Sequence, residues 1–169
     1  MQVLLSAQQL KLTIKRLAFQ LLENHDDLSN IVFVGIQPRG VFISDKIIEA
    51  VAEIYKDGPI HYGLLDITFY RDDIRDELHM PKETTLVHSI EGKKVILIDD
   101  VLYTGRTIRA ALDALQDFGR PQKVELCVLV NRRFNRELPI QPDFFGIAID
   151  TTSSQKVKVN LEQSEVVLY

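Results

Sequence analysis

The chain contains one cysteine, Cys127, among 169 residues, which excludes an internal disulfide framework. No Cys/His cluster has the spacing of a zinc site. Long apolar runs are missing as well. Val95–Ile98, the most compact of them, is far short of the roughly 20 residues that a membrane helix needs. The N-terminus has no signal-peptide core, so the expected compartment is cytoplasmic. Lys and Arg (20) are outnumbered by Asp and Glu (24), and the net charge of −4 lacks the cationic excess of a dedicated nucleic-acid binder. A local basic face remains compatible with that total. No repeat, low-complexity tract or linker divides the sequence. With 46% hydrophobic and 26% charged residues, it has the composition of one globular domain spanning 1–169.

The pattern along the chain alternates between strand and helix. Ser6 and Gln9 form a capping-box pair, and Leu10, Ile14, Leu17, Leu21 and Leu22 follow at helical spacing, predicting a helix over 7–23. Ile31–Ile36 reads as a buried strand ending in the turn-rich Gln37-Pro38-Arg39-Gly40. A second helix carries Ile43, Ile47, Ile48, Val51 and Ile54 on one face. Ile60–Tyr70 suggests an irregular strand. Residues 71–94 turn polar, with six acidic side chains, and a loop of that length is a functional lid, a disordered excursion or a hairpin that extends the second strand. Val95–Ile98 is the clearest strand. It leads through Asp99-Asp100 into a helix expected to turn Ile108, Ala111, Leu112, Leu115 and Phe118 inward, with a stop at Gly119-Arg120-Pro121. Val124–Val130, Phe144–Ile149, Lys156–Leu161 and Val166–Tyr169 complete the strands. This order predicts an α/β domain with a mostly parallel sheet covered on both faces.

Ligands of open α/β sheets bind beyond the carboxyl ends of the strands, where two segments of this chain fall. Asp99 and Asp100 offer acceptor-only carboxylates suited to a vicinal diol. Thr104-Gly105-Arg106-Thr107 then enters a helix, whose free amides and hydroxyls suit a phosphate monoester. Together they describe a ribose 5-phosphate site. Taken singly, the acids are equally a strand end and Thr104 a helix cap. Neither GxxxxGK[ST] nor GxGxxG occurs, so P-loop and dinucleotide sites have no support.

Val95–Thr107, an apolar strand followed by two acids and a Thr-Gly-Arg-Thr turn, resembles the phosphoribosyl pyrophosphate (PRPP) motif of the type I phosphoribosyltransferases. Purine enzymes of that family usually place an aspartate where this chain has Tyr103. The run through Thr107 instead resembles a subgroup that combines uracil phosphoribosyltransferase activity with RNA-based control of pyrimidine operons. Val34–Gly40, Asp66–Asp73, Phe118–Pro121 and Arg136–Ile140 extend the resemblance in matching order.

The resemblance implies a type I phosphoribosyltransferase fold that transfers the phosphoribosyl group of PRPP to uracil, giving UMP and pyrophosphate. Asp99 and Asp100 then hold the ribose hydroxyls and Thr104, Gly105, Arg106 and Thr107 the 5-phosphate, with Val101, Leu102 and Tyr103 also in the PRPP-binding set. Pro38, Arg39 and Gly40 form the pyrophosphate loop, with Gln37–Pro38 a candidate cis peptide. The catalytic set is Arg39, Arg71, Asp99 and Asp100. Residues 71–94 correspond to a lid, opened by Arg71-Asp72-Asp73, and residues 131–169 supply most of a small hood. Asn131 and Arg132 are base-binding candidates by position. Mg²⁺ is expected to arrive with PRPP and to meet the protein mainly through water, without direct ligands. Partners are PRPP, uracil or UMP, and further copies of the chain as a dimer or larger assembly; no membrane is involved. Leader RNA is a possible partner through Lys11, Lys15, Arg16, Arg132, Arg133 and Arg136. A PRPP or nucleotide sensor without turnover is a third reading. Segment 131–139 runs one residue longer than the subgroup's pattern, and Pro38 replaces a threonine expected there.

Overall fold

Ser6 opens the first helix with a complete capping box. Its Oγ accepts the Gln9 N–H at 3.4 Å, and Gln9 Oε1 accepts the Ser6 N–H at 2.9 Å. In the computed structural model, which describes residues 1–72 and 82–169, helix α1 spans Ala7–Asn24 and buries Leu10, Ile14, Leu17 and Leu21. Helix α2 spans Gly40–Ile54 and helix α3 Arg106–Leu115. Strand β1 (Gln2–Leu5) precedes α1. Strands β2 (Ile31–Ile36), β3 (His61–Leu65), β4 (Lys94–Leu102), β5 (Lys123–Arg133) and β6 (Phe144–Asp150) form a parallel sheet in the order β3-β2-β4-β5-β6. Strands β7 (Val157–Asn160) and β8 (Glu165–Leu168) join β1 in a small antiparallel sheet, order β1-β8-β7.

Strand alternation divides the core into two layers. Phe33, Ile96, Ile98 and Leu129 face α1 and α2 in one cluster. Val32, Val34, Val95, Leu97 and Val128 face α3 in the other. Both faces of the sheet are thus covered, which is why these strands read as continuous apolar runs. Cys127 lies fully buried in the middle of β5, where desolvation pushes its thiol up to about 12. Beyond the reach of sequence spacing, His25 at the end of α1 meets Glu125 of β5 at 2.7 Å, with both side chains buried. Burial opposes the Glu125 charge, but hydrogen bonds from Lys123 and His25 outweigh it and hold that carboxyl below its usual value.

Four expectations need correction. The strand foreseen over Ile60–Tyr70 ends at Leu65, because Asp66 turns the chain: its carboxylate accepts the Thr68 N–H at 3.0 Å and the Thr68 hydroxyl at 2.7 Å, starting a 3₁₀ turn. Leu112 and Phe118 are 37% and 43% exposed rather than inward-facing. Helix α3 buries the small Ala110, Ala111 and Ala114 instead, and its α-helical geometry stops at Leu115, before Phe118. Residues 131–133 and 144–150, expected in the hood, extend and pair with the main sheet, whereas β1 from the N-terminus completes the small one. Finally, β4 continues through Asp99-Asp100 to Leu102, so the acids lie within the strand. The expected lid is described only at its two ends. Residues after 82 return along the outer edge of β3, with Thr85 N–H bonded to Leu64 O at 2.9 Å and Ile90 fully buried. Asp73 and the rest of 73–81 lie outside the described residues.

Helix α1 crosses β6 at Gly146. A Cβ there would stand 2.5 Å from Leu129 O and 2.7 Å from Thr13 Cγ2, and Arg16 Nη2 donates to the Gly146 carbonyl. Gly146→Ala should therefore cost about 1–3 kcal/mol through overpacking. Thermal unfolding should register this as a drop of roughly 2–4 °C per kcal/mol. An unchanged melting temperature would show that β6 can shift from both the Leu129 carbonyl and α1.

Candidate functional site

The carboxyl ends of β2 and β4 open into a pocket of about 390 Å³. Pro38 and Arg39 line it from the turn after β2, and Arg71 from the segment beyond β3. Every residue from Asp99 to Thr107 lines it from β4 and the start of α3, and Arg132 from the end of β5. Gly40 is not on the lining. It lets α2 begin against β4, since a Cβ would lie 2.8 Å from Ile98 O and 3.1 Å from Asp99 Oδ1. The Gln37–Pro38 peptide is cis.

Strand β4 carries the acidic pair into the apolar interior of the sheet. Asp99 is buried, and its Oδ1 accepts the Asp100 N–H at 2.9 Å. The Asp100 carboxylate accepts the Val101 N–H at 2.7 Å. Desolvation pushes the Asp99 carboxyl well above its ordinary value, with the neighbouring Asp100 charge adding to it. Burial also raises Asp100, whereas the Val101 N–H and the Arg39 guanidinium pull it back. The pair sits where its charge is costly, and Arg39 is the cation that relieves it.

The loop after β4 is shaped for an anion. Gly105 adopts φ +94°, a left-handed conformation that spares a side chain from meeting Ile140 at 3.3 Å. The first helical hydrogen bond of α3 runs from Arg109 N–H to Gly105 O at 3.0 Å, and the Arg106 N–H reaches back to Thr104 Oγ1 at 3.3 Å. The amides of Thr107 and Ile108 thus have no acceptor within the helix. Arg106 turns sideways, its Nε 2.5 Å from Glu137 and its Nη1 3.2 Å from Asp72; Arg109 Nη1 also meets Asp72, at 2.9 Å.

The far wall is a stack. The Arg132 guanidinium lies 3.8 Å from the centroid of the Tyr103 ring, a cation–π contact. It also donates to Thr151 Oγ1 at 2.9 Å and to the carbonyls of Thr152 and Gln155 at 3.2 and 2.9 Å. Asn131, paired with Arg132 as a base-binding candidate, is buried outside the lining, and its Oδ1 accepts from Arg136 at 2.7 Å. Sequence reasoning missed Ile67, Thr68, Glu137 and Val157, which also line the pocket. Ile67 and Thr68 lay within the Asp66–Asp73 match and Glu137 within the Arg136–Ile140 match; Val157 arrives through strand pairing. Of the arginines considered for a basic face, Arg16, Arg132 and Arg136 bond to groups inside the fold, and Arg133 pairs with Asp150 at 2.7 Å.

Among the described residues no three His, Cys, Asp or Glu side chains converge on a metal position, and no helix is long and apolar enough to cross a membrane. The model of the phosphoribosyl transferase domain matches residues 2–164. Bifunctional protein PyrR of a Picosynechococcus species is 45% identical over 161 residues, covering 94% of this chain and 89% of its own. The PyrR of Enterococcus faecalis is 44% identical over 163 residues, with the same coverage. In three dimensions, the hypoxanthine phosphoribosyltransferase of Trypanosoma cruzi superposes with a TM-score of 0.76 at 16% identity, covering 99% of this chain and 95% of that one. That likeness concerns the fold, whereas the sequence relatives concern the family. With a domain match across nearly the whole chain and PyrR relatives at this identity, the chain belongs to the type I phosphoribosyltransferase family.

Proposed function

We propose that this protein transfers the phosphoribosyl group of PRPP to uracil, forming UMP and releasing pyrophosphate. The observation that carries this is one pocket lined by both an acidic pair, Asp99 buried and Asp100 half-buried, and a loop with unused helix amides. A ribose 5-phosphate matches that combination: hydroxyls at one end donate to carboxylates, and a dianion at the other accepts amides.

Asp99 and Asp100 fix the 2- and 3-hydroxyls, while Thr104–Thr107 fix the 5-phosphate. Clamping both ends leaves C1 little freedom, which is catalysis by positioning. Uracil N1 forms a bond to C1 as the bond from C1 to the pyrophosphate oxygen breaks, and the N1 proton leaves to solvent. Arg39 and Arg71 meet the leaving group's negative charge. Closure of the segment beginning at Arg71 keeps water from the cationic sugar in the transition state. Tyr103 and Arg132 flank the base. Mg²⁺ bound with PRPP would supply neutralisation of the pyrophosphate charge. Asp99 and Asp100 would hold such an ion through water, since no three His, Cys, Asp or Glu side chains among the described residues form a direct cage. The name "bifunctional" of the PyrR relatives leaves room for RNA control; Lys11, Lys15 and Arg16 are the exposed cations of α1 that would serve it, Arg16 also donating to Gly146 O.

Purified protein with PRPP, Mg²⁺ and uracil should release pyrophosphate, with hypoxanthine a poor substitute. Faster turnover of hypoxanthine would overturn the uracil assignment, and PRPP binding without turnover of any base would favour a sensor. Asp100→Asn should lower kcat/KM by about 100-fold or more while the protein stays folded.

The acidic pair also predicts a pH signature. A carboxyl raised above its unfolded value of 3.8 binds more protons folded than unfolded, so it subtracts stability as pH climbs from that value through the folded pKa. Asp99→Asn should therefore raise the melting temperature of the ligand-free protein at pH 8, and the gain should shrink towards pH 4. A gain that is equal at both pH values would show that charge is not its origin.

A further inference from the structure

Arg136 does not line the pocket, yet it touches three of the pieces that shape it. Its Nε donates to Ile140 O at 2.8 Å. Its Nη1 donates to Tyr103 O and, at 3.2 Å, to Arg132 O, and its Nη2 donates to Asn131 Oδ1 at 2.7 Å. All four acceptors are neutral. The contrast is Arg106, whose charge is met by Glu137 and Asp72. Arg136 is half-buried and keeps its charge behind the phosphate loop, with no carboxylate among the described residues bonded to it.

The next two residues continue the same brace. Glu137 and Leu138 donate their N–H groups to Thr104 O at 2.9 and 3.2 Å. The carbonyls of two successive peptides, Tyr103–Thr104 and Thr104–Gly105, are therefore turned towards segment 136–138. In a trans peptide the N–H points opposite to the C=O. Fixing these carbonyls on the outside turns the N–H groups of Thr104 and Gly105 the other way, and both residues line the pocket. Arg136 also holds the carbonyl of Arg132, the residue stacked on Tyr103. One side chain thus fixes the backbone of both partners in the stack and the first peptide of the phosphate loop.

We propose that Arg136 is a positioning residue: it orients the phosphate loop towards a ligand's 5-phosphate and locks the Arg132–Tyr103 stack beside it, without contacting the ligand. This rests on the phosphoribosyl reading of the pocket. The pyrophosphate end, built on Arg39 after β2, has no hydrogen bond to Arg136 and serves as the internal control.

Titration calorimetry with ribose 5-phosphate and, separately, with Mg²⁺-pyrophosphate separates the two ends. Arg136→Met should weaken ribose 5-phosphate binding by about tenfold or more, as expected for loss of charge-assisted hydrogen bonds, and leave pyrophosphate binding within about twofold. Arg136→Lys, which keeps the charge but not the fork, should fall between wild type and Arg136→Met, and it decides the matter if Arg136→Met does not fold. Unchanged ribose 5-phosphate binding, or equal weakening of both ligands, overturns the positioning role alone. Wild-type protein that binds neither ribose 5-phosphate nor PRPP overturns the phosphoribosyl reading and this role with it.

Discussion

The structure turns on two carboxylates carried by a strand that is otherwise apolar and buried. Strand β4 lies at the centre of the main sheet, with β2 on one side and β5 on the other. Its residues before Asp99 face the two hydrophobic layers alternately. The same hydrogen-bonded register that buries Val95–Ile98 carries Asp99 and Asp100 to the pocket floor, where burial resists their ionisation. Apolar packing supplies the stability that such a floor removes, and the pocket inherits a rigid base from the sheet.

Around that base, the groups that line the pocket are set by backbone conformation more than by side-chain identity. Gly40 admits α2 close to Asp99, and Gly105 admits the turn into α3. Both helices start beside the pocket, so their amino ends surround it. The side chains that stand furthest from this pattern, Arg132 and Arg136, spend their hydrogen bonds on carbonyls and amide or hydroxyl oxygens, and they hold the rim together.

Much of this was legible in the sequence, for identifiable reasons. Buried parallel strands produce unbroken apolar runs, so β2, β4 and β5 stood out. The Asp99–Thr107 segment is contiguous, and all of it reaches one pocket. What was not legible depends on contacts between distant residues. Gln2–Leu5 is too short to announce a strand and becomes one only through β8. Phe118 has the right spacing for the core, but the switch from α to 3₁₀ geometry leaves it outside. Asn131 sits one residue from Arg132, and the alternation of side chains along a strand sends the two to opposite faces. His25 and Glu125 lie 100 positions apart, a pairing that no local spacing encodes.

The pairing of β1 with β8 joins residues 2–5 to residues 166–168, nearly the full length of the chain apart. Val157, on β7 in the same small sheet, forms part of the pocket wall. During synthesis the main sheet and its acidic floor have all their strands once β6 has emerged, whereas this wall must wait for the final strand. The end of the pocket formed by the acidic pair and the Thr104–Thr107 loop is thus encoded to form first, and the opposite wall is closed only when β8 pairs with β1.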